Sequence, residues 1–271
     1  MEENISQITW CTERHETIAK EQGIVTWRDP RLNAEMLNIP KTKVDLVNNI
    51  IKANRDNKFF NLQYQFTGKE VFLDIENTPN YIFMIGVWSR DIPSNFCQWT
   101  LPYLNKHQEL KMLKEYNKFI HELNPDRIYI WHCHEKTYFK KKEKEYNIKF
   151  ETEKMFDFCE YLRTNNYAIP GLFNHSLKSV GKLFHSLNYI TTIWGQEVVD
   201  GKKALDLALE KYKKRLPLDD IKEYNYYDIK VMQEIIEHFK TLGNLSNLSI
   251  ETSMESTDIP LTGMDHQLLN P

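Results

Sequence analysis

Hydrophobic positions fall into two periods along this chain. Residues 8–56 carry a helical one. There "ITWCTERHETIAKEQGI" is amphipathic and "TWRDPRLNAEMLNIP" is interrupted by two prolines. "KTKVDLVNNIIKANRDN" then sets Val44, Leu46, Val47, Ile50 and Ile51 on one face. A small helix-turn-helix-like segment over residues 1–56 is expected. After a polar connection over 57–69, strand-like runs follow: "EVFLDIE" (70–76), "YIFMIGVWS" (81–89) and "FCQWTL" (96–101). The second is apolar on both faces, as a central strand is. The Thr78-Pro79-Asn80 turn suits an antiparallel hairpin. Residues 105–123 read as a helix with Leu110, Leu113, Tyr116, Phe119, Ile120 and Leu123 inward. "DRIYIWH" (126–132) reads as a fourth strand and 135–147 as a helix. "EKMFDFCEYLRT" (153–164) leads into a loop, and helices are expected at 176–187, 201–215 and 219–242. Residues 243–271 are polar and aperiodic, a flexible tail. With the fourth strand parallel to the first, residues 57–242 form an α/β domain, a mixed sheet flanked by helices.

Composition narrows the class. A chain of 271 residues, 41% hydrophobic and 27% charged, suits one large globular domain with a small appendage. No apolar run approaches the roughly 20 residues that span a bilayer. The four cysteines form no CxxC pair and no disulfide framework, and the N-terminus lacks an apolar leader core. An intracellular, reduced protein is expected. A net charge of −3 does not signal a strongly basic binder, although an acidic site can mask a local basic surface.

Carboxylates supply the candidate chemistry. Residues two apart in a strand share a face, so Asp74 and Glu76 project together at the C-terminal end of the first strand. Sites in α/β sheets gather at that end. Such a pair is costly to bury unless it is partnered or holds a metal. Tyr224 and Asp228 lie one helical turn apart, on a helix that Val231, Ile235 and Ile236 would anchor to the sheet. Glu135 opens a helix after the fourth strand, where it either caps the helix or faces the first strand as a further ligand. Asp74, Glu76, Glu135 and Asp228 are the hard oxygen donors that Mg²⁺ or Mn²⁺ takes. Two such ions about 3.5–4 Å apart clamp the oxygens of a phosphodiester. The Tyr224 phenol would orient the water or the scissile phosphate, and Lys178 would hold a phosphate as a point charge. His132, Cys133 and His134 raise zinc, but no second Cys/His cluster completes a set, and His132 is assigned to the pocket lining. "KKKEK" (140–144) and "KYKKR" (211–215) read as solvated helix faces or the rim of a phosphate groove. Trp88, Trp99, Trp131 and Trp194 read as core. No zinc finger, OB signature or long basic arm appears, so any nucleic-acid contact would be to the backbone, independent of sequence.

These motifs together resemble the DEDD superfamily of 3′–5′ exonucleases, in its tyrosine subclass. The acidic pair, the acidic residue after the fourth strand and Tyr-x-x-x-Asp on the last helix carry the likeness. It is nearer to the RNase H-like nuclease domains found with RecB-type nuclease domains. "WHCHEKTYFKK", "MFDFCEYLR" and "NHSLKSVGKLF" resemble that group's segments, over about residues 70–240. The resemblance implies an RNase H-like fold and a nuclease with two Mg²⁺ or Mn²⁺ ions, acting in DNA repair or processing. It also implies a single-stranded nucleic-acid end as substrate and a place in a larger nuclease or helicase assembly. Asp74, Glu76, Glu135 and Asp228 would ligate metal, Tyr224 would act in catalysis, and Lys178 and His132 would contact nucleic acid. The second motif departs from the superfamily's usual Asn-x-x-x-(Phe/Tyr)-Asp. Either Glu135 or Asp157 therefore completes the set, with Glu135 favoured and Asp157 a near-site carboxylate. The contrasting expectation is a nucleic-acid-binding or scaffold domain of the same fold without catalysis.

Overall fold

The computed structural model describes the backbone of residues 3–195 and 201–254, and side chains as far as Leu242. The N-terminal segment contributes α1 (Glu13–Glu21) and α2 (Val44–Asp56). Leu46, Val47, Ile50 and Ile51 of α2 are buried, as the helical period requires. They close a core of their own with Ile5, Ile24 and Leu37. This core docks on the connection 165–175 through Ala168 and Phe173. Asn54 bridges the two, donating to the Leu172 carbonyl at 3.0 Å and accepting from the Gly171 N–H at 2.8 Å.

A five-stranded sheet in the order β3-β2-β1-β4-β5 forms the centre. β1 (Glu70–Asn77), β2 (Ile82–Trp88) and β3 (Phe96–Thr100) make an antiparallel meander. Thr78 builds its first turn, its hydroxyl accepting from the N–H groups of Asn80 and Tyr81. α3 (Lys106–Leu123) then crosses over to β4 (Arg127–Ile130), which pairs parallel to β1. α4 (His134–Tyr146) leads to β5 (Met155–Asp157), parallel to β4. The remaining helices are α5 (Phe158–Thr164), α6 (Leu177–Ser186), α7 (Gly201–Lys214) and α8 (Asp219–Met254).

The two-residue period of β1 sorts its side chains. Val71, Leu73 and Ile75 enter a core with Leu113, Tyr116 and Ile120 of α3 and Phe139 of α4. Phe72 enters the opposite core, with Phe158 of α5, Phe184 of α6 and Ile229 and Ile235 of α8. Asp74 and Glu76 share the Phe72 face, and so they look toward α8. Each large apolar side chain in these layers contributes about 1.5–3 kcal/mol by burial.

Three local features differ from the sequence reading. Residues 155–157 form a fifth strand; so short a run shows no period, and its pairing with β4 defines it. The last helix continues to Met254, so the expected tail starts on helical backbone, and residues 255–271 lie outside the described residues. Within "KKKEK", Lys142 is fully buried rather than solvated. Its ammonium donates to Glu109 at 2.9 Å, Glu145 at 2.8 Å and the Asn80 carbonyl at 2.6 Å. No described helix is long and apolar enough to cross a membrane.

Candidate metal centre

β1 pairs with β4 only as far as Phe72 opposite Tyr129. Beyond that point β1 continues against β2 alone, with Asp74 opposite Gly86 and Glu76 opposite Met84. The parting strands leave room for carboxylates at the end of the sheet. α8 comes close here because residue 86 is glycine: a Cβ there would lie 2.1 Å from the Asn225 Oδ1. Asn225 is fully buried and donates from Nδ2 to Asp74 Oδ2 at 2.6 Å. Gln98 of β3 donates in turn to Asn225 Oδ1 at 2.8 Å.

This close approach brings Asp228 to the first strand. One carboxylate oxygen from each of Asp74, Glu76 and Asp228 lies within 4.8 Å of the others. Tyr224, one turn earlier, hydrogen-bonds Asp228 through its hydroxyl, and the Trp194 indole N–H donates to Asp228 Oδ1. Trp194 reaches this position because residue 181 on α6 is glycine, where a Cβ would meet the indole at 2.7 Å. Glu135, on the first turn of α4, is buried, and its Oε2 has no hydrogen-bond partner among the described residues.

Burial and mutual repulsion govern the electrostatics. Desolvation first, then neighbouring carboxylates, hold Asp74, Glu76 and Glu135 well above the ordinary carboxylate range. Desolvation pushes Asp228 up to about 6, against the opposing pull of the Lys178 ammonium. The Tyr224 hydroxyl is also raised by burial and by Asp228, Glu76 and Asp74, so it keeps its proton at neutral pH. Lys178 lies 4.4 Å from the centroid of the Tyr224 ring and favours the charged forms of Asp74, Glu76 and Asp228.

Asp157 and Glu135 both lie outside the three-carboxylate cluster, and the Asp157 charge adds to the rise of Glu135. Asp157 Oδ1 accepts from the Glu160 N–H at 2.9 Å, capping α5, and from the His132 N–H at 3.0 Å. The second bond steadies His132, which sits at φ 101°. Asp74, Asp228, Tyr224, Lys178, His132 and Arg163 all line one open cleft of about 370 Å³.

The donor set suits a hard divalent cation. Its three clustered oxygens are carboxylates, with no His or Cys joining them among the described residues. The orphaned Glu135 Oε2 is a buried acceptor that a cation or its water would satisfy. Sequence reasoning missed Asn225 and placed Trp194 in the core. The one signal for Asn225 was Gly86, a glycine inside an otherwise apolar central strand, which marks a close approach. Nothing local distinguished Trp194 from a core tryptophan.

The model of the RNase H superfamily matches residues 71–240. That span covers more than half of the chain and every residue assigned to the site, and the chain belongs to that superfamily. The fold suggests a hydrolase acting on phosphodiester bonds and contacting nucleic acid, with an acidic cluster able to hold a metal. A search of curated proteins finds no match.

Proposed function

We propose that the protein is a metal-dependent 3′–5′ exonuclease that uses two divalent cations held by Asp74, Glu76, Glu135 and Asp228. The convergence of oxygens of Asp74, Glu76 and Asp228 within 4.8 Å, at the floor of the cleft, is the observation that carries this reading. Three anions at that separation, two of them buried and Asp74 partly so, are costly without a cation. When bound, such cations polarise the phosphate and supply hydroxide at neutral pH.

The chain's own groups do the positioning. Tyr224 keeps its proton and spends it on Asp228, so its hydroxyl oxygen is left to accept from the attacking water. It orients that water and is not the base. Asn225 fixes one oxygen of Asp74, and Asp74 lines the cleft. Lys178, on the cleft wall, offers its charge to a phosphate oxygen. Asp157 holds the backbone turn that places His132 on the same wall. The tyrosine one turn before Asp228 supports the exonuclease form over an internal cutter, by resemblance to the tyrosine subclass.

The test is incubation with 5′-labelled single-stranded DNA and RNA in Mn²⁺ or EDTA, beside Asp74→Asn. A metal-dependent ladder shortening from the 3′ end, absent in the variant, is expected. Internal fragments at first turnover would replace the exonuclease by an endonuclease. No cleavage by either protein, with no Mn²⁺-induced stabilisation, would leave a non-catalytic binding domain.

A further inference from the structure

Arg163 joins the catalytic cleft to the N-terminal segment. It lines the cleft with Asp74 and Asp228, and its guanidinium carbon lies 5.6 Å from the centroid of the Trp10 ring. Lys43, the residue capping α2, brings its ammonium to 4.7 Å from the same ring. Trp10 is therefore one side chain away from the cleft and within reach of two cations drawn from different elements.

Three properties of this trio fit a ligand better than packing. Trp10 is 42% exposed, and the N-terminal core closes on Ile5, Ile8, Cys11 and Trp27 without it. Its backbone holds φ 70°, a left-handed conformation that a bulky side chain rarely adopts. The turn is tied in place, since the Thr9 N–H donates to the Phe173 carbonyl at 2.8 Å. Phe173 belongs to the connection that leads into Ser176 and Lys178, so the turn is fixed to the cleft wall. The third property is an unmet donor: the Arg163 Nε atom is enclosed and has no hydrogen-bond partner among the described residues. Arg163 as a whole is only partly buried and lines the cleft, so a turn of its side chain brings this unmet N–H to a phosphate oxygen. An acidic cleft would also repel a polyanion, and cations at its mouth offset that repulsion.

The geometry points to a strand-holding station at the mouth of the cleft, where Trp10 stacks a base of single-stranded nucleic acid and Arg163 and Lys43 hold the flanking phosphates. Every base presents a π-face, so the station reads no sequence. This rests on the nuclease reading above and adds to it a strand-binding role for the N-terminal segment.

The test is binding of fluorescein-labelled single-stranded oligonucleotides of graded length to the full chain carrying Asp74→Asn, which separates binding from cleavage. Trp10→Ala should weaken binding of the longer oligonucleotides about tenfold, within the range for loss of one base–aromatic stack. It should leave mononucleotide binding unchanged, and Trp10→Phe should recover most of the loss. Arg163→Ala and Lys43→Ala should each lower the slope of log affinity against log salt by about 0.7, the value for one single-strand phosphate. Equal affinity of Trp10→Ala and its parent for long oligonucleotides, while the wild type still cleaves, would overturn the station and leave the nuclease standing. Absence of both binding and cleavage in the wild type would overturn both. Should Trp10→Ala fail to fold, Trp10→Phe and the salt slopes of the two cation variants still decide the matter: an unchanged slope in both overturns it.

Discussion

Asp74→Asn should stabilise the metal-free protein while abolishing its response to metal. Asp74, Glu76 and Asp228 present oxygens no more than 4.8 Å apart. With an effective dielectric of about 20, 332/(20 × 4.8) gives at least about 3.5 kcal/mol of repulsion for each fully ionised pair. The raised carboxyls take up protons and relieve part of this, so the net gain near neutral pH is about 1–2 kcal/mol, or about 2–8 °C in Tm. Asparagine keeps a carbonyl oxygen where Asn225 Nδ2 donates, so the Gln98–Asn225 chain survives. Asp74→Ala removes the same charge but strands the buried Asn225 donor, at a cost of about 1–3 kcal/mol, and should gain less or lose. Mn²⁺ at 100 times its Kd should stabilise the wild type by about 2.7 kcal/mol, or about 5–11 °C, and Asp74→Asn hardly at all. Thermal melts in EDTA and in graded Mn²⁺ read all of these shifts. A metal-free Asp74→Asn that melts below the wild type, or one that keeps the full Mn²⁺ shift, would refute the clustered-anion account.

The same groups set a pH dependence. Because the folded carboxyls bind protons more tightly than the unfolded chain, metal-free stability should fall as pH rises from about 4, through the Asp228 titration near 6 and beyond. Melts between pH 5 and 8 in EDTA should show that decline, and saturating Mn²⁺ should flatten it. Gly86→Ala places a Cβ 2.1 Å from Asn225 Oδ1 and should cost about 1–3 kcal/mol in denaturant unfolding, with a matching drop in Mn²⁺ affinity. Lys142→Met leaves Glu109 buried without its cation and should cost about 3–5 kcal/mol, far from the cleft and without altering Mn²⁺ affinity in protein that remains folded.

The sequence by itself determined the class of fold and the residues with chemistry to offer. Two-residue and helical periods located β1 to β4 and the long helices, because those periods record which faces are buried. The same period put Asp74 and Glu76 on one face, and the helical turn put Tyr224 and Asp228 on another. What it did not hold was the separation between those faces. That depends on a missing side chain at Gly86, which lets α8 approach, and on Asn225, whose role arises only from that approach. The chain left Glu135 and Asp157 as alternatives with Glu135 favoured; the tertiary structure ties Asp157 to two backbone N–H groups and leaves Glu135 Oε2 without a partner among the described residues. Trp10 and Trp194 likewise carry no local mark, since exposure and neighbours are properties of the packed molecule. Local periodicity encodes burial, whereas a site is a set of distances between residues remote in the chain, and only folding assigns them.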